Sequence, residues 1–156
     1  MRSSRIIAYI FLIITVFWCF VIWNFSAKDA EQSTVQSNKV LQAVTQVSER
    51  VTDKNVDLSV SFIRKSAHVI EFAVLGFLVY ITFYLFKIKN YLMMFVISVI
   101  SFIAVSLIDE TMQLFFDGRS MQFSDILLDI SGALSVFLIC MLITLFLKRK
   151  AKQEDI

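Results

Sequence analysis

Apolar residues run almost unbroken through four stretches of the chain: Ile6 to Phe25, about Phe62 to Phe86, about Tyr91 to Phe116, and about Ser124 to Leu147. Each is close to the roughly 20 residues that an α-helix needs to cross a hydrocarbon core. Residues 26–61, between the first and second stretches, are polar. Within them Val40, Val44, Val47 and Val51 recur at i, i+4, i+7 and i+11, the spacing of a single helical face. That pattern predicts an amphipathic helix lying on the membrane surface or capping the bundle, with Val56-Asp57-Leu58-Ser59-Val60 as an extended lead-in to the second span. The remaining links are short, Lys87-Ile88-Lys89-Asn90 and Asp117-Gly118-Arg119-Ser120-Met121-Gln122-Phe123.

Composition sharpens this picture. The chain has 156 residues, 58% of them hydrophobic and only 18% charged, against roughly 45–50% and about 25% in soluble domains. With no Pro and three Gly, turn punctuation is nearly absent and long helices are expected. The length fits one domain, 1–156. The apolar run after Arg2 and Arg5 is longer than the roughly 7–15 residues of a signal-peptide core, and Ser26-Ala27-Lys28 makes a poor cleavage site, so a retained helix is the expectation. A net charge of +2, with the basic residues placed beside apolar segments, argues against nucleic acid as a partner. Cys19 and Cys140 fall at different depths in their runs, about 20 Å and about 10 Å from the basic ends at ~1.5 Å per residue, which excludes a disulfide.

Lys and Arg placement sets the expected orientation. Arg2, Arg5, Lys87, Lys89, Lys148, Arg149, Lys150 and Lys152 all sit in short segments against one membrane face. Short flanks dominate the positive-inside rule, so both termini are expected in the cytoplasm of a cell-membrane protein. The predicted fold is therefore all-α: an integral membrane four-helix bundle with an extracytoplasmic amphipathic segment between the first and second spans, and the lipid bilayer as its first partner.

Against this apolar background the ionisable residues stand out, because charge inside hydrocarbon is expensive and usually marks a cavity or a function. Arg64, His68 and Glu71 share one face of the second span, and Ser106, Glu110, Gln113 and Asp117 one face of the third, with Asp109 a step around. Asp125, Asp129 and Gly132 share a face of the fourth. Glu71, Asp109 and Asp129 each lie roughly 7–13 Å inside the outer ends, so three polar stripes at matching depth should converge. Plainer explanations stand beside this one. Asp125, next to Ser124, suits a helix cap; Arg64 and Lys65 suit snorkelling to headgroups; a salt-bridge net of Asp109 and Glu110 with Arg64 or Arg119 would be purely structural. Gly76, Ser131-Gly132-Ala133 and Ser135 read as close helix packing, and the many phenylalanines as lipid-facing bulk.

The runs Arg64-Lys65-Ser66-Ala67-His68-Val69-Ile70-Glu71-Phe72 and Leu75-Gly76-Phe77-Leu78 resemble the first signature of the VanZ-like family. Asp109-Glu110-Thr111-Met112-Gln113, Gly118-Arg119-Ser120 and Asp125-Ile126 before Gly132-Ala133 continue it over roughly residues 62–147. Asp117 stands where that family often has Pro, Asp129 where it often has Asn, and Ser135 where it has a second Gly. The resemblance implies that Lys65, His68, Asp109, Glu110, Gln113, Arg119 and Asp125 match the family motif. It also implies kinship with a membrane protein that lowers susceptibility to teicoplanin, a lipid-tailed glycopeptide antibiotic.

Three functions fit these residues. One is an envelope protein whose outer-leaflet pocket binds or modifies a lipid-linked precursor, another anionic molecule or the glycopeptide, with Arg64, Lys65 and Arg119 on phosphate. Glu71, Asp125 and Asp129 would complete that pocket. Another is an intramembrane hydrolase or transferase, with His68 or Glu110 as general base, Asp109 and Gln113 assisting, and Asp109 with Asp125 holding a divalent metal. Its oxygen-rich donors suit Mg²⁺ or Mn²⁺ better than structural zinc. The third is a proton-conducting or scaffold bundle. Four short spans make an alternating-access carrier only as a homo-oligomer.

Overall fold

A computed structural model describes residues 2–52 and 58–154. They form five helices: α1 (Arg2–Ser26), α2 (Ala30–Thr52), α3 (Val60–Leu85), α4 (Tyr91–Gln113) and α5 (Phe123–Glu154). All but α2 are long and apolar enough to cross a membrane. Of the expected lead-in, Val56 and Asp57 lie outside the described residues. Leu58 and Ser59 are non-helical and Val60 opens α3, with the Ser59 side chain accepting the Phe62 N–H at 3.1 Å. Asn90 caps α4 in the same way through Met93 N–H at 3.0 Å. The tight turn before it places Lys87 in a left-handed conformation, φ 58°.

α1 begins at Arg2, ahead of the expected Ile6, and the C-terminal ends of α4 and α5 depart from the expected bounds. α4 stops at Gln113, because Leu114, Phe115 and Phe116 turn their N–H groups to Thr111, Met112 and Gln113 carbonyls in tightened turns. Asp117 therefore leaves the α4 stripe, and its carbonyl instead receives the Ala30 N–H that starts α2, at 3.1 Å. α5 has 32 residues, ~48 Å at 1.5 Å per residue. That exceeds a ~30 Å hydrocarbon core, so its basic last turns extend past the apolar layer.

The spans alternate in direction. Tyr9 meets Phe86 with ring centroids 5.3 Å apart, Thr15 bonds Thr82 at 3.1 Å, and Lys148 donates to the Tyr91 hydroxyl at 3.0 Å, which gathers the chain start, the α3–α4 turn and the α5 tail at one end. The opposite end collects the close of α1, all of α2, the start of α3, the close of α4 and the start of α5. α1 is tied in by its two tryptophans: Trp18 Nε1 donates to the Glu71 carbonyl at 2.9 Å and Trp23 Nε1 to the Val105 carbonyl at 3.2 Å.

α3 and α5 approach most closely, and glycine permits it. A Cβ on Gly132 would stand 2.6 Å from the Val69 carbonyl oxygen, and one on Gly76 would collide with the Ala133 carbonyl. The phenylalanines divide between two environments, which corrects the lipid-facing expectation. Phe72, Phe102 and Phe137 are fully buried, Phe137 packing edge-on against Tyr80 and Phe102, while Phe17, Phe20, Phe77 and Phe146 face outward. Cys19 and Cys140 are free thiols, half-buried against the core.

Candidate functional site

The polar face of each span turns inward at the α2 end. α3 brings Arg64, Lys65, His68 and Glu71; α4 brings Ser106, Asp109, Glu110 and Gln113; α5 brings Asp125 and Asp129. They do not form one cluster but separate into groups with different partners.

The deepest group is His68, Asp109 and Asp129. His68 Nδ1 stands 3.8 Å from Asp109 Oδ2 and 3.8 Å from Asp129 Oδ1, too long for hydrogen bonds, which close at ~2.7–3.2 Å. Both carboxylates have 0% side-chain exposure and His68 12%. One potential donor atom from each residue lies within 4.8 Å of the other two. His68 Nδ1, Asp109 Oδ1 and Asp129 Oδ1 are buried without a hydrogen-bond partner among the described residues. Such orphans cost about 1–3 kcal/mol apiece, more when charged. The other carboxylate oxygens are held by neutral donors: Ser26 Oγ reaches Asp109 Oδ2 at 2.8 Å, and Ser106 Oγ reaches Asp129 Oδ2 at 2.8 Å. Asp129, where the family resemblance led one to expect Asn, is thus the third member of the group.

Glu110 belongs to a second group. Its Oε1 accepts Gln113 Nε2 at 2.9 Å and its Oε2 accepts the Gln122 backbone N–H at 2.8 Å. Gln122 in turn receives the first α5 amides, from Asp125 and Ile126, so Glu110 fastens the α4–α5 loop at the helix start. Gln113 also reaches Asp109 Oδ2 at 3.3 Å and spans both carboxylates with one amide. The structural net foreseen for Asp109 and Glu110 is present, but it is built from hydroxyls and amides; neither residue pairs with Arg64 or Arg119 among the described residues.

Lys65 and Asp125 form a third group, an ion pair at 2.9 Å with side chains 33% and 13% exposed. The helix begins at Phe123, before Asp125, and Asp125 Oδ1 also accepts Ser124 Oγ at 3.1 Å. Pairing therefore replaces both the capping reading of Asp125 and the snorkelling reading of Lys65, and it takes Asp125 away from Asp109. A divalent metal on Asp109 would find Asp129 and His68 beside it instead.

Arg64, Glu71 and Arg119 border a cavity of about 780 Å³ between α2 and the start of α3. His68 lies at its inner wall, Val40, Val44, Phe62, Ile63 and Ile70 form apolar walls, and Lys39 stands at the rim. Arg119 Nη1 donates to the Ser26 and Lys28 carbonyls, both at 3.3 Å, closing the end of α1. Burial, followed by the nearby Arg64 charge, pulls its pKa below the usual arginine value. Neither guanidinium forms an ion pair among the described residues. Sequence reasoning did not assign Ser26 or Gln122 to the site. Ser26 offered a weak signal, a hydroxyl in the last turn of an apolar helix; a backbone N–H such as that of Gln122 offers none.

Four apolar spans with buried polar groups collected at one end define a polytopic, all-helical membrane protein. The model of the VanZ/LLP1 family matches residues 11–145, and the chain belongs to that family. No curated protein and no solved structure matches it.

Proposed function

We propose that this protein binds an anionic, lipid-linked molecule of the cell envelope in the cavity between α2 and α3. The observation that carries the reading is the chemistry of the cavity wall: two guanidiniums without carboxylate partners among the described residues, Arg64 and Arg119, stand beside Val40, Val44, Phe62 and Ile70, whose side chains are exposed. A phosphate head group matches the guanidinium pair bidentately, and an acyl or isoprenoid tail matches the apolar wall. Glu71 and His68, which also line the cavity, then face the hydroxyls or amides of the head group. With the basic flanks inside, both termini are cytoplasmic and the cavity opens at the outer leaflet of the cell membrane. Lowered susceptibility to a lipid-tailed glycopeptide such as teicoplanin would follow from altered surface chemistry or restricted antibiotic access.

One observation favours a second reading, hydrolysis or transfer on the same molecule: His68 borders the cavity while its Nδ1 reaches toward two buried carboxylates. His68 would then be the general base, oriented by Asp109.

The lipid profile of cells lacking the protein tests the first reading. A phosphate-bearing amphiphile is expected to change in abundance, to recover with the wild-type chain, and not to recover with the double variant Arg64→Gln/Arg119→Gln. An unchanged profile, or full recovery with the double variant, contradicts it.

A further inference from the structure

We infer that His68, Asp109 and Asp129 form a binding site for one divalent cation, held between α3, α4 and α5. The inference concerns the buried cluster alone and stands whether or not the cavity takes a lipid. Its basis is twofold: one ligand atom from each residue lies within 4.8 Å of the other two, and each residue carries a buried atom without a hydrogen-bond partner among the described residues, His68 Nδ1, Asp109 Oδ1 and Asp129 Oδ1. Two of the side chains are completely buried, where an orphaned carboxylate oxygen is least tolerable.

The alternatives satisfy fewer of these atoms. A protonated imidazole would place one donor between two acceptors, yet both separations are 3.8 Å, beyond hydrogen-bond reach, and the two free Oδ1 atoms would stay unpaired. A single proton shared by the carboxylates would leave Nδ1 without a partner. A cation at the centre engages one atom of each residue, and a +2 charge cancels the two carboxylates beside a neutral imidazole. At metal–ligand distances of roughly 2.0–2.2 Å, neighbouring octahedral ligands stand about 3 Å apart and opposite ones about 4.2 Å. The observed spacing, 4.8 Å at most, therefore closes with a movement of about an ångström at each side-chain end.

The surroundings are those of a prepared site. Ser26 Oγ and Gln113 Nε2 fix Asp109 through Oδ2, and Ser106 Oγ fixes Asp129 through Oδ2, which leaves each Oδ1 free. Neutral donors behind ligating carboxylates orient them without competing for their charge. One imidazole nitrogen with two carboxylate oxygens suits a cation of intermediate hardness, with Mn²⁺ a natural probe.

His68 is the chain's single histidine, so a nitrogen signal from a bound Mn²⁺ reports on one residue. The full chain, purified without a polyhistidine tag, stripped with chelator and placed in nanodiscs, would be titrated with Mn²⁺ and studied by pulsed electron paramagnetic resonance. The expected result is one Mn²⁺ per chain with nitrogen modulation from one imidazole. His68→Gln removes the modulation, and Asp109→Asn or Asp129→Asn weakens binding roughly tenfold or more. Asp125→Asn, whose carboxylate is paired with Lys65, leaves it unchanged. No stoichiometric binding at millimolar Mn²⁺, binding without nitrogen modulation, or full affinity in a folded Asp129→Asn protein would each overturn the inference. The wild-type modulation decides the question even if a variant fails to fold.

Discussion

Asp109 and Glu110 are neighbours in sequence and equally buried, yet they do different things. One helical step, about 100°, turns Asp109 toward α1 and α3, where its Oδ2 accepts Ser26 Oγ and stands 3.8 Å from His68 Nδ1 while its Oδ1 stays without a partner among the described residues; Glu110 turns toward the α5 start and spends both oxygens on Gln113 and the Gln122 N–H. The sequence made both residues conspicuous because two adjacent carboxylates sat among apolar side chains; it held no sign of which neutral donors would meet them. Gly132 is a clearer case. Its place in a small-residue run announced close packing, and the 2.6 Å that would separate a Cβ from the Val69 carbonyl supplies the reason. Gly132→Ala should lower stability by about 1–3 kcal/mol through overpacking, read as an earlier thermal melt of the detergent-solubilised protein. An unchanged melt would show that α3 and α5 separate at little cost.

At the scale of elements, the four spans were legible because apolar runs of ~20 residues have few other interpretations. Their ends were less so. α4 stops three residues before the expected Phe116 because its last turns tighten, and that local backbone choice leaves no trace in hydropathy. The helical nature of α2 was also written in the valine spacing, and Val40 and Val44 do lie along the cavity; Val51 has no described side chain. What the spacing could not give was the partner of α2, which is α3. The proposed sidedness belongs here, since it assigns α2 to the outer face and the Lys87–Asn90 turn to the cytoplasm. In a background with Cys19 and Cys140 replaced by serine, Asn38→Cys should react with a membrane-impermeant maleimide in intact cells. Lys89→Cys should react only after permeabilisation. The reverse pattern would invert the orientation and place the cavity inside.

For the whole molecule, the spans act as a rack that holds ionisable groups at one depth. Charges that would be costly in isolation are sorted into a fastened loop, a partly buried ion pair, a buried three-residue cluster and a cavity with two guanidiniums unpaired among the described residues. Convergence of the stripes was foreseeable from helical spacing and matched depth. This sorting was not, because it depends on hydroxyls from α1 and on a backbone amide that no periodicity marks. The central claim is that the cavity holds an anionic amphiphile by Arg64 and Arg119. Native mass spectrometry of the full chain, released gently from its own membrane, tests that claim most directly. The account predicts a retained phosphate-containing amphiphile on the wild-type protein and its loss, about a hundredfold or more for two charge-assisted contacts worth about 1.5–3 kcal/mol each, from a folded Arg64→Gln/Arg119→Gln protein. A wild-type chain carrying only the bulk phospholipids of the membrane, or a double variant retaining the same amphiphile equally well, would contradict it.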